Sequence, residues 1–550
     1  MADWGRCTRG PPGLAIRAVG VPARDPTDTM RVTSLGHAGL LVESLGASIM
    51  CDPWFSPAFF GSWYPFPSNA DIDPALLSRP TYLYISHLHL DHFDAPFLTR
   101  HVDKSTPVIL PEHPLPLLET RMRALGFTQF IKTRHNVEHE LGPLTVMVTS
   151  LAEPSDGAIG DSSILISDGR VRLLNLNDAR PIDLEPLLSG GPIDALFLQY
   201  SGAIWYPMVY DFPPRAKEAW GRKKRAGGLA RAQRYVEGLS PRFVVPSAGP
   251  ACFLDPDLFE LNDFDNDPSN SFPGPDVFLA QLEEQGRPGG RLMLPGSVGE
   301  LTADDFTVTH RLSGAEVDEI FAEKRAYLLR YQDRRRDDIA RERASWREGQ
   351  VDVLAELQRL FDPLLAEADH ICAAIDDVVL LQVGTVAIAI DFHERRTRPW
   401  TGESWMYRFR VPRALVERCI LDRVEDWTND LFLSFRFTAS RRGAYNQHVF
   451  IFFRCLTRER LQYAEGRLSE QGPTPEIWEA GGFRMPRRCP HAKGDLARFG
   501  VIEDGILTCR VHNWQFELAT GRCLTSEGYH LQAVPVESRD GASVSGGAAE

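Results

Sequence analysis

The chain has 550 residues, 43% of them apolar, and a formal net charge of −14. That length exceeds what one hydrophobic core supports and predicts about three domains. The acidic balance excludes bulk nucleic-acid binding. The longest apolar run, Val378 to Ile390, is too short to span a bilayer. Nine cysteines without a regular framework place the chain in a reducing, cytoplasmic compartment.

Residues 1–29 are rich in Pro, Gly and Arg and lack an apolar core, so they read as a disordered lead without a secretory signal, Met30 being the expected start. Over 30–305, the runs Val32 to Val42, Tyr82 to Ile85, Leu144 to Val148, Ile164 to Ile166 and Leu173 to Leu176 alternate with loops and a few helices. That rhythm predicts a layered α/β domain. Residues 306–470 are expected to form a helical and α+β module. From Gly314 to about Ile375 the pattern is helical, with Ile320, Tyr327, Leu328 and Tyr331 on an apolar side and Arg334 to Arg343 on a solvated one. Val378 to Ile390, Trp405 to Arg410, Leu431 to Phe437 and Val449 to Arg454 are then expected as strands. Gly472 to Pro475 reads as a linker opening a last domain over 471–537, and 538–550 as a disordered tail.

Two clusters of metal-ligand residue types stand out. Directly after the strand pattern Tyr82 to Ile85 comes Ser86-His87-Leu88-His89-Leu90-Asp91-His92-Phe93-Asp94. Four potential ligands within six residues at a strand end can converge on one or two metals, because the loop turns back on itself there. Near the C-terminus, Cys489-Pro490-His491 is followed, after seventeen residues, by Cys509-Arg510-Val511-His512. Paired Cys-x-His and Cys-x-x-His at this separation are the donor set of a Rieske [2Fe–2S] centre, with thiolates on one iron and imidazoles on the other. A structural zinc site usually places like ligands together, which this pattern does not.

The first cluster, with Gly36-His37-Ala38-Gly39 and Asp52-Pro53-Trp54 ahead of it, resembles the metallo-β-lactamase family. The resemblance implies an αββα sandwich whose metal ligands are His87, His89, Asp91 and His92. It further implies a His after Leu144 to Ser150, where only Glu153 is on offer, a bridging carboxylate at Asp178, and a final His near Val244 to Gly249, where none occurs. Glu153 and Asp178 also read as a strand-end turn residue and a helix cap. Carboxylate in place of imidazole suits iron or manganese better than zinc. The second cluster, with Asn513-Trp514-Gln515-Phe516 and Thr520-Gly521-Arg522-Cys523 after it, resembles Rieske domains of the oxygenase and ferredoxin branch. Lys493 and Asn513 stand where respiratory Rieske proteins carry an extra disulfide.

A lactamase-like domain followed by a Rieske domain resembles the amino-sugar N-acetyl hydroxylases, which convert N-acetyl to N-glycolyl. One branch acts on CMP-N-acetylneuraminate with the Rieske domain first; the UDP-N-acetylmuramate branch has it last, as here. Also similar are Gln199 to Ala203, Trp205 to Met208, Pro246 to Gly249, Trp427 to Phe437 and Tyr445-Asn446. The resemblance implies an O₂-dependent monooxygenase with one or two non-haem irons and a nucleotide-sugar substrate, fed from NAD(P)H through a ferredoxin and reductase. No dinucleotide-binding Gly-x-Gly-x-x-Gly with its acidic partner is present. Arg215 to Arg234, with Arg222, Lys223, Lys224, Arg225 and Arg231 beside Trp220, is either a phosphate-binding stretch or a solvated helix. Arg441 and Arg442 carry the same pair of readings. A zinc hydrolase with a redox-sensing Rieske domain, and a pure electron carrier, are the rivals. Electron transfer within one chain and between subunits of a homo-oligomer are both open.

Overall fold

The computed structural model describes residues 29–151, 159–202, 204–263, 266–287, 289–469 and 476–536. Glu153, the Gly472 to Pro475 linker and most of both expected disordered ends lie outside them.

Two sheets face one another in the first half of the chain. One runs, in spatial order, Phe306–Thr309, Val298–Leu301, Met30–Gly36, Gly39–Ser44, Ala47–Cys51, Tyr82–Tyr84, Val108–Leu110 and Phe130–Lys132. The other runs Phe243–Ser247, Ala195–Gln199, Arg172–Asn175, Asp161–Ser167, Leu144–Leu151 and Glu138–Leu141. Because side chains alternate along a strand, each sheet offers two apolar faces. In Tyr82–Tyr84, Tyr84 turns into the layer between the sheets beside Val146, Ile164 and Phe197. Leu83 turns outward to Phe97, Leu98 and Met122 of the helices Ala95–His101 and Leu117–Ala124. The second sheet is covered outside by Pro214–Leu239 and Pro275–Glu284, through Tyr235, Val236 and Phe278. The result is the αββα sandwich of the metallo-β-lactamase fold. Its first sheet runs past residue 305, where the sequence pattern placed a boundary, because Phe306–Thr309 pairs antiparallel with Val298–Leu301.

Helices Gly314–Ala322, Lys324–Arg334 and Arg336–Ser345 pack against loops of the sandwich, Val317 and Ile320 on Leu294 and Leu328, Tyr331 and Ile339 on Tyr64 and Leu254. They precede a five-stranded sheet ordered Arg396–Pro399, Val386–Asp391, Val378–Val383, Tyr407–Val411 and Thr438–Arg441. The long apolar run from Val378 is thus a hairpin turning at Gly384. Two expected strands are something else. Phe432–Ser434 is a single 3₁₀ turn that ends at Phe435 in the left-handed region, φ 59°. Gln447–Arg454 is an α-helix, started by the Asn446 side chain accepting from the His448 N–H. Val449 through Phe453 are all buried, so apolar neighbours on every side override the β preference of Val, Ile and Phe. The same core takes in Trp54, Trp63 and Phe253 of the sandwich.

The last domain is two three-stranded sheets, Ile477–Ala480, Phe483–Pro486, Val534–Pro535 and Gly500–Glu503, Ile506–Cys509, Trp514–Glu517. It docks on the helix Pro214–Leu239, where Tyr235 meets Phe499 with ring centroids 5.5 Å apart. No helix among the described residues is long and apolar enough to cross a membrane.

Candidate metal centre and its shared cavity

Ligand-type residues gather at one edge of the sandwich because the parallel strands end there, the place where open α/β sheets present their sites. Asp52 follows Ala47–Cys51, His87 to His92 follow Tyr82–Tyr84, Asp178 follows Arg172–Asn175, and Gln199 ends Ala195–Gln199. Asp94 pins the loop: one carboxylate oxygen accepts from Phe97 N–H at 2.8 Å, capping the next helix. The other accepts from Phe55 and Ser56 N–H at 2.8 and 2.7 Å.

Two trios of donor atoms result, His87, His89 and Asp178, and His37, Asp91 and His92, each with its donors within 4.8 Å of one another. The sequence pattern brought forward five of these six. His37 completes the set, and the ligand expected near Val244 to Gly249 is replaced from the far side. The turn Gly36 to Gly39 delivers the His37 side chain, 3% exposed, to 3.0 Å between its Nε2 and Asp91 Oδ2. The loop that lacks the expected His braces it instead, Ala248 N–H donating to the His37 carbonyl at 3.0 Å. The only signal was a His inside a Gly-rich first turn, noted for its resemblance and not as a donor. Among the described residues the donor set is four imidazoles and two carboxylates, less oxygen-rich than a set including Glu153. Each trio has the two-His, one-carboxylate composition of non-haem iron sites.

The imidazoles are backed as metal ligands are. His92 Nδ1 lies 2.8 Å from Asp52 Oδ2, and Ser86 N–H and Oγ–H hold the same carboxylate at 2.7 and 2.5 Å. His87 Nδ1 lies 2.9 Å from Ser86 Oγ and 3.3 Å from Asp161 Oδ1. The inward nitrogens His37 Nε2 and His92 Nε2 are buried with no hydrogen-bond partner, and His87 Nε2 and His89 Nδ1 face one another at 2.7 Å. Orphaned inward donors with satisfied outer ones fit a bound cation. Burial opposes a charge on Asp91, yet His92 and His37 hold its carboxyl well below the usual range. Burial and the neighbouring His92 push the His87 imidazole well down, favouring the neutral form that binds metal.

In the last domain, Cys489 and His491 sit on the loop after Phe483–Pro486, and Cys509 and His512 on the turn between Ile506–Cys509 and Trp514–Glu517. The loops pack together over Gly494, where a Cβ would come within 3.2 Å of Cys509 Sγ. Lys493 and Asn513 take the left-handed turn positions, φ 56° and 59°. The two imidazole rings stand 4.9 Å apart at 90°, and His491 stacks on Trp514 at 3.8 Å. His491 Nδ1 and His512 Nε2 are buried without partners. The Cys489 side chain and the backbone N–H groups of Val511 and His512 lower the Cys509 thiol. Two facing thiols and two unpartnered imidazoles fit a [2Fe–2S] cluster of the Rieske type.

A cavity of about 230 Å³ joins the two places. Its wall is made of His89, Asp91, Asp161 and Asp178 from the sandwich, His512 and Asn513 from the last domain, and Asn429, Leu433 and Arg454 from the five-stranded module. The Rieske turn comes this close because Gly227 has no side chain: a Cβ there would stand 2.7 Å from Asn513 Nδ2. Asn513 Nδ2–H donates to the Gly227 carbonyl at 3.1 Å. Of the basic stretch on Pro214–Leu239, Lys224 and Arg231 line the cavity. Lys223 reaches Gln515 of the Rieske domain at 2.7 Å, and Arg222 lies 3.6 Å from Glu218. Arg441 and Arg442 lie against the rings of Tyr445 and Trp405 instead. Arg180 and Arg454 are cavity residues that no local pattern marked.

Two family models match the chain, the Rieske [2Fe-2S] domain over residues 483–535 and the Rv3818-like, SCP2-like domain over 353–470. The chain is 45% identical over 513 residues to the "Putative Rieske 2Fe-2S iron-sulfur protein Rv3818" of Mycobacterium tuberculosis H37Rv, covering 92% of this chain and 99% of that one. A Rieske 2Fe-2S iron-sulfur protein of Mycolicibacterium smegmatis is 45% identical over 516 residues, with the same coverage. Among solved structures, a metallo hydrolase from Ignicoccus hospitalis is similar at 18% identity and a TM-score of 0.33, over 52% of this chain and all of that one. On identity sustained along nearly its whole length, the chain belongs to the family of the mycobacterial Rieske 2Fe-2S iron-sulfur protein Rv3818.

Proposed function

We propose that the protein is an O₂-dependent monooxygenase that hydroxylates the N-acetyl group of a nucleotide amino sugar, UDP-N-acetylmuramate, to N-glycolyl. The observation that carries this reading is one cavity lined both by His89, Asp91 and Asp178 of the sandwich and by His512 of the last domain. Zinc has no use for electrons, and a candidate cluster ligand, His512, on the wall of the same cavity supports electron delivery to the metal site of its own chain. An acetamide methyl has no acidic or electrophilic handle, so its oxidation needs C–H cleavage with O₂, two electrons and two protons, giving the alcohol and water. When bound, iron in the His/Asp trios supplies O₂ activation and the cluster supplies electrons, drawn from NAD(P)H through a partner ferredoxin and reductase.

The chain's own residues hold the reactants. Asp178 is kept facing the cavity by Gln199, whose Nε2–H donates to Asp178 Oδ1 at 2.6 Å. Trp205 and Leu433 close the cavity with apolar surface, and Asn429 and Ser271 present polar groups. A volume near 230 Å³ is below the roughly 300–1,000 Å³ that encloses a drug-sized ligand. That volume is suited to the acetamido end of the substrate and not to a whole nucleotide sugar.

The test is one anaerobic preparation, with iron and zinc counted and the reduced cluster spectrum recorded. UDP-N-acetylmuramate, ferredoxin, reductase, NADH and O₂ are then added. The expected product is heavier by one oxygen in the acetyl group, with CMP-N-acetylneuraminate unchanged beside it. Stoichiometric zinc with only two irons per chain refutes the oxygenase.

A further inference from the structure

The cavity holds more positive charge than its protein partners use. Arg231 is 6% exposed, yet the groups it donates to are neutral: its guanidinium donates to Gln199 Oε1 at 3.3 Å and to the Ser201 carbonyl at 3.4 Å. Arg180 donates to the same Gln199 Oε1 at 3.4 Å, and its Nε is buried without a partner. Lys224 lies over the Tyr206 ring, 5.4 Å from its centroid. Among the described residues none of these three pairs with a carboxylate. Lys224 is exposed as a whole residue, but the packing around its ammonium and the neighbouring Arg180 and Arg231 push that group down to about 8. Burial and Arg180 push the Arg231 guanidinium down to about 9. Clustered cations without a carboxylate partner are satisfied by an anion, and guanidinium pairs are suited to carboxylate and phosphate.

We propose that Arg180, Lys224 and Arg231 form an anion clamp that selects substrates bearing a negatively charged substituent next to the reacting acetamido group. The inference rests on the cavity being the substrate site and deepens that reading by naming what holds the substrate there. On a muramyl nucleotide such an anion comes from the lactyl carboxylate or from the diphosphate, each on a ring carbon adjacent to the one bearing the acetamide. Gln199 gives the clamp a link to the metal site, accepting from both guanidinium groups while donating to Asp178.

The test measures binding apart from turnover, by calorimetry on the full-length, cluster-loaded protein with N-acetylmuramate, UDP-N-acetylglucosamine and neutral N-acetylglucosamine. Arg231→Gln is expected to weaken the anionic ligands by roughly 10-fold or more, with neutral N-acetylglucosamine unaffected. Lys224→Gln, at an accessible position that does not endanger folding, is expected to act in the same direction, and the reduced cluster spectrum reports integrity. Weakening confined to N-acetylmuramate assigns the clamp to the carboxylate; weakening confined to UDP-N-acetylglucosamine assigns it to the diphosphate. Unchanged affinity in both variants, or no binding of either anionic ligand to the wild type, overturns the clamp. Clamp-dependent binding in a protein that hydroxylates no sugar discards the reaction and keeps the clamp. Hydroxylation with unaltered binding in both variants does the reverse.

Discussion

Replacing His37 with Ala tests the least expected member of the metal site. The substitution removes one of three donors in the trio with Asp91 and His92 and leaves His87, His89 and Asp178 intact. Loss of an outer-shell partner costs about 10–100-fold in metal affinity, so loss of a ligand should cost at least the top of that range. The apoprotein pays as well. The edge-on contact with Trp54, at 5.0 Å and 74°, is worth about 0.5–1.5 kcal/mol. Leaving the buried Asp91 carboxylate without its 3.0 Å neighbour costs about 1–3 kcal/mol. Metal analysis after extensive dialysis should find one equivalent beyond the cluster irons where the wild type keeps two. The melting temperature should fall by several degrees, and the reduced cluster spectrum should be unchanged. His393→Gln is the control, since that imidazole sits on the surface against Asp376. Two retained equivalents in His37→Ala, at wild-type affinity, would refute the assignment of His37 as a ligand.

Cys509→Ser should abolish the cluster's visible and spin-resonance signals while the other metals stay bound; product formation persisting without the cluster would remove the electron-feed argument. Gly227→Leu should displace the Rieske turn carrying Asn513 and slow electron delivery by on the order of 10²-fold, the penalty typical of an ångström-scale misplacement. Stopped-flow reoxidation of the cluster reads this, with cluster and metal contents as controls. Trp427→Ala empties a fully buried site stacked on Phe453 and should destabilise the five-stranded module by about 3–5 kcal/mol, measured by denaturant unfolding. Asp255 joins three parts of the chain, accepting from Arg343 Nε at 2.8 Å and lying 3.1 Å from Arg436. Although burial opposes ionisation, Arg343 and Arg436 hold its carboxyl at about 2. A depressed folded value means the stabilisation is complete above the unfolded carboxylate value near 3.9 and fades as pH falls toward about 2. Asp255→Asn should flatten that part of the acid-unfolding curve, and an unchanged curve would count against the ion triad.

What could be read from the sequence was whatever lies close along the chain. His87 to His92 share one loop, and each Cys–His pair of the Rieske centre shares one turn, so their spacing alone brings them together. Alternation along Tyr82–Tyr84 and Leu144–Leu151 likewise marks strands, because a strand's two faces are set by backbone geometry. Such local logic misread Val449–Arg454, whose β-favouring side chains form a helix because a surrounding aromatic core buries every face. Tertiary structure alone decided that His37 reaches Asp91 from fifty-odd residues upstream, braced by the loop expected to supply a ligand. It also decided that Arg180, Lys224 and Arg231 face one cavity, and that Gly227 lets the Rieske turn dock beside it. Those contacts join residues tens to hundreds of positions apart, and no backbone periodicity relates them. They exist because the packed layers of the sandwich, the five-stranded module and the Rieske domain enclose His89 and His512 in the same cavity.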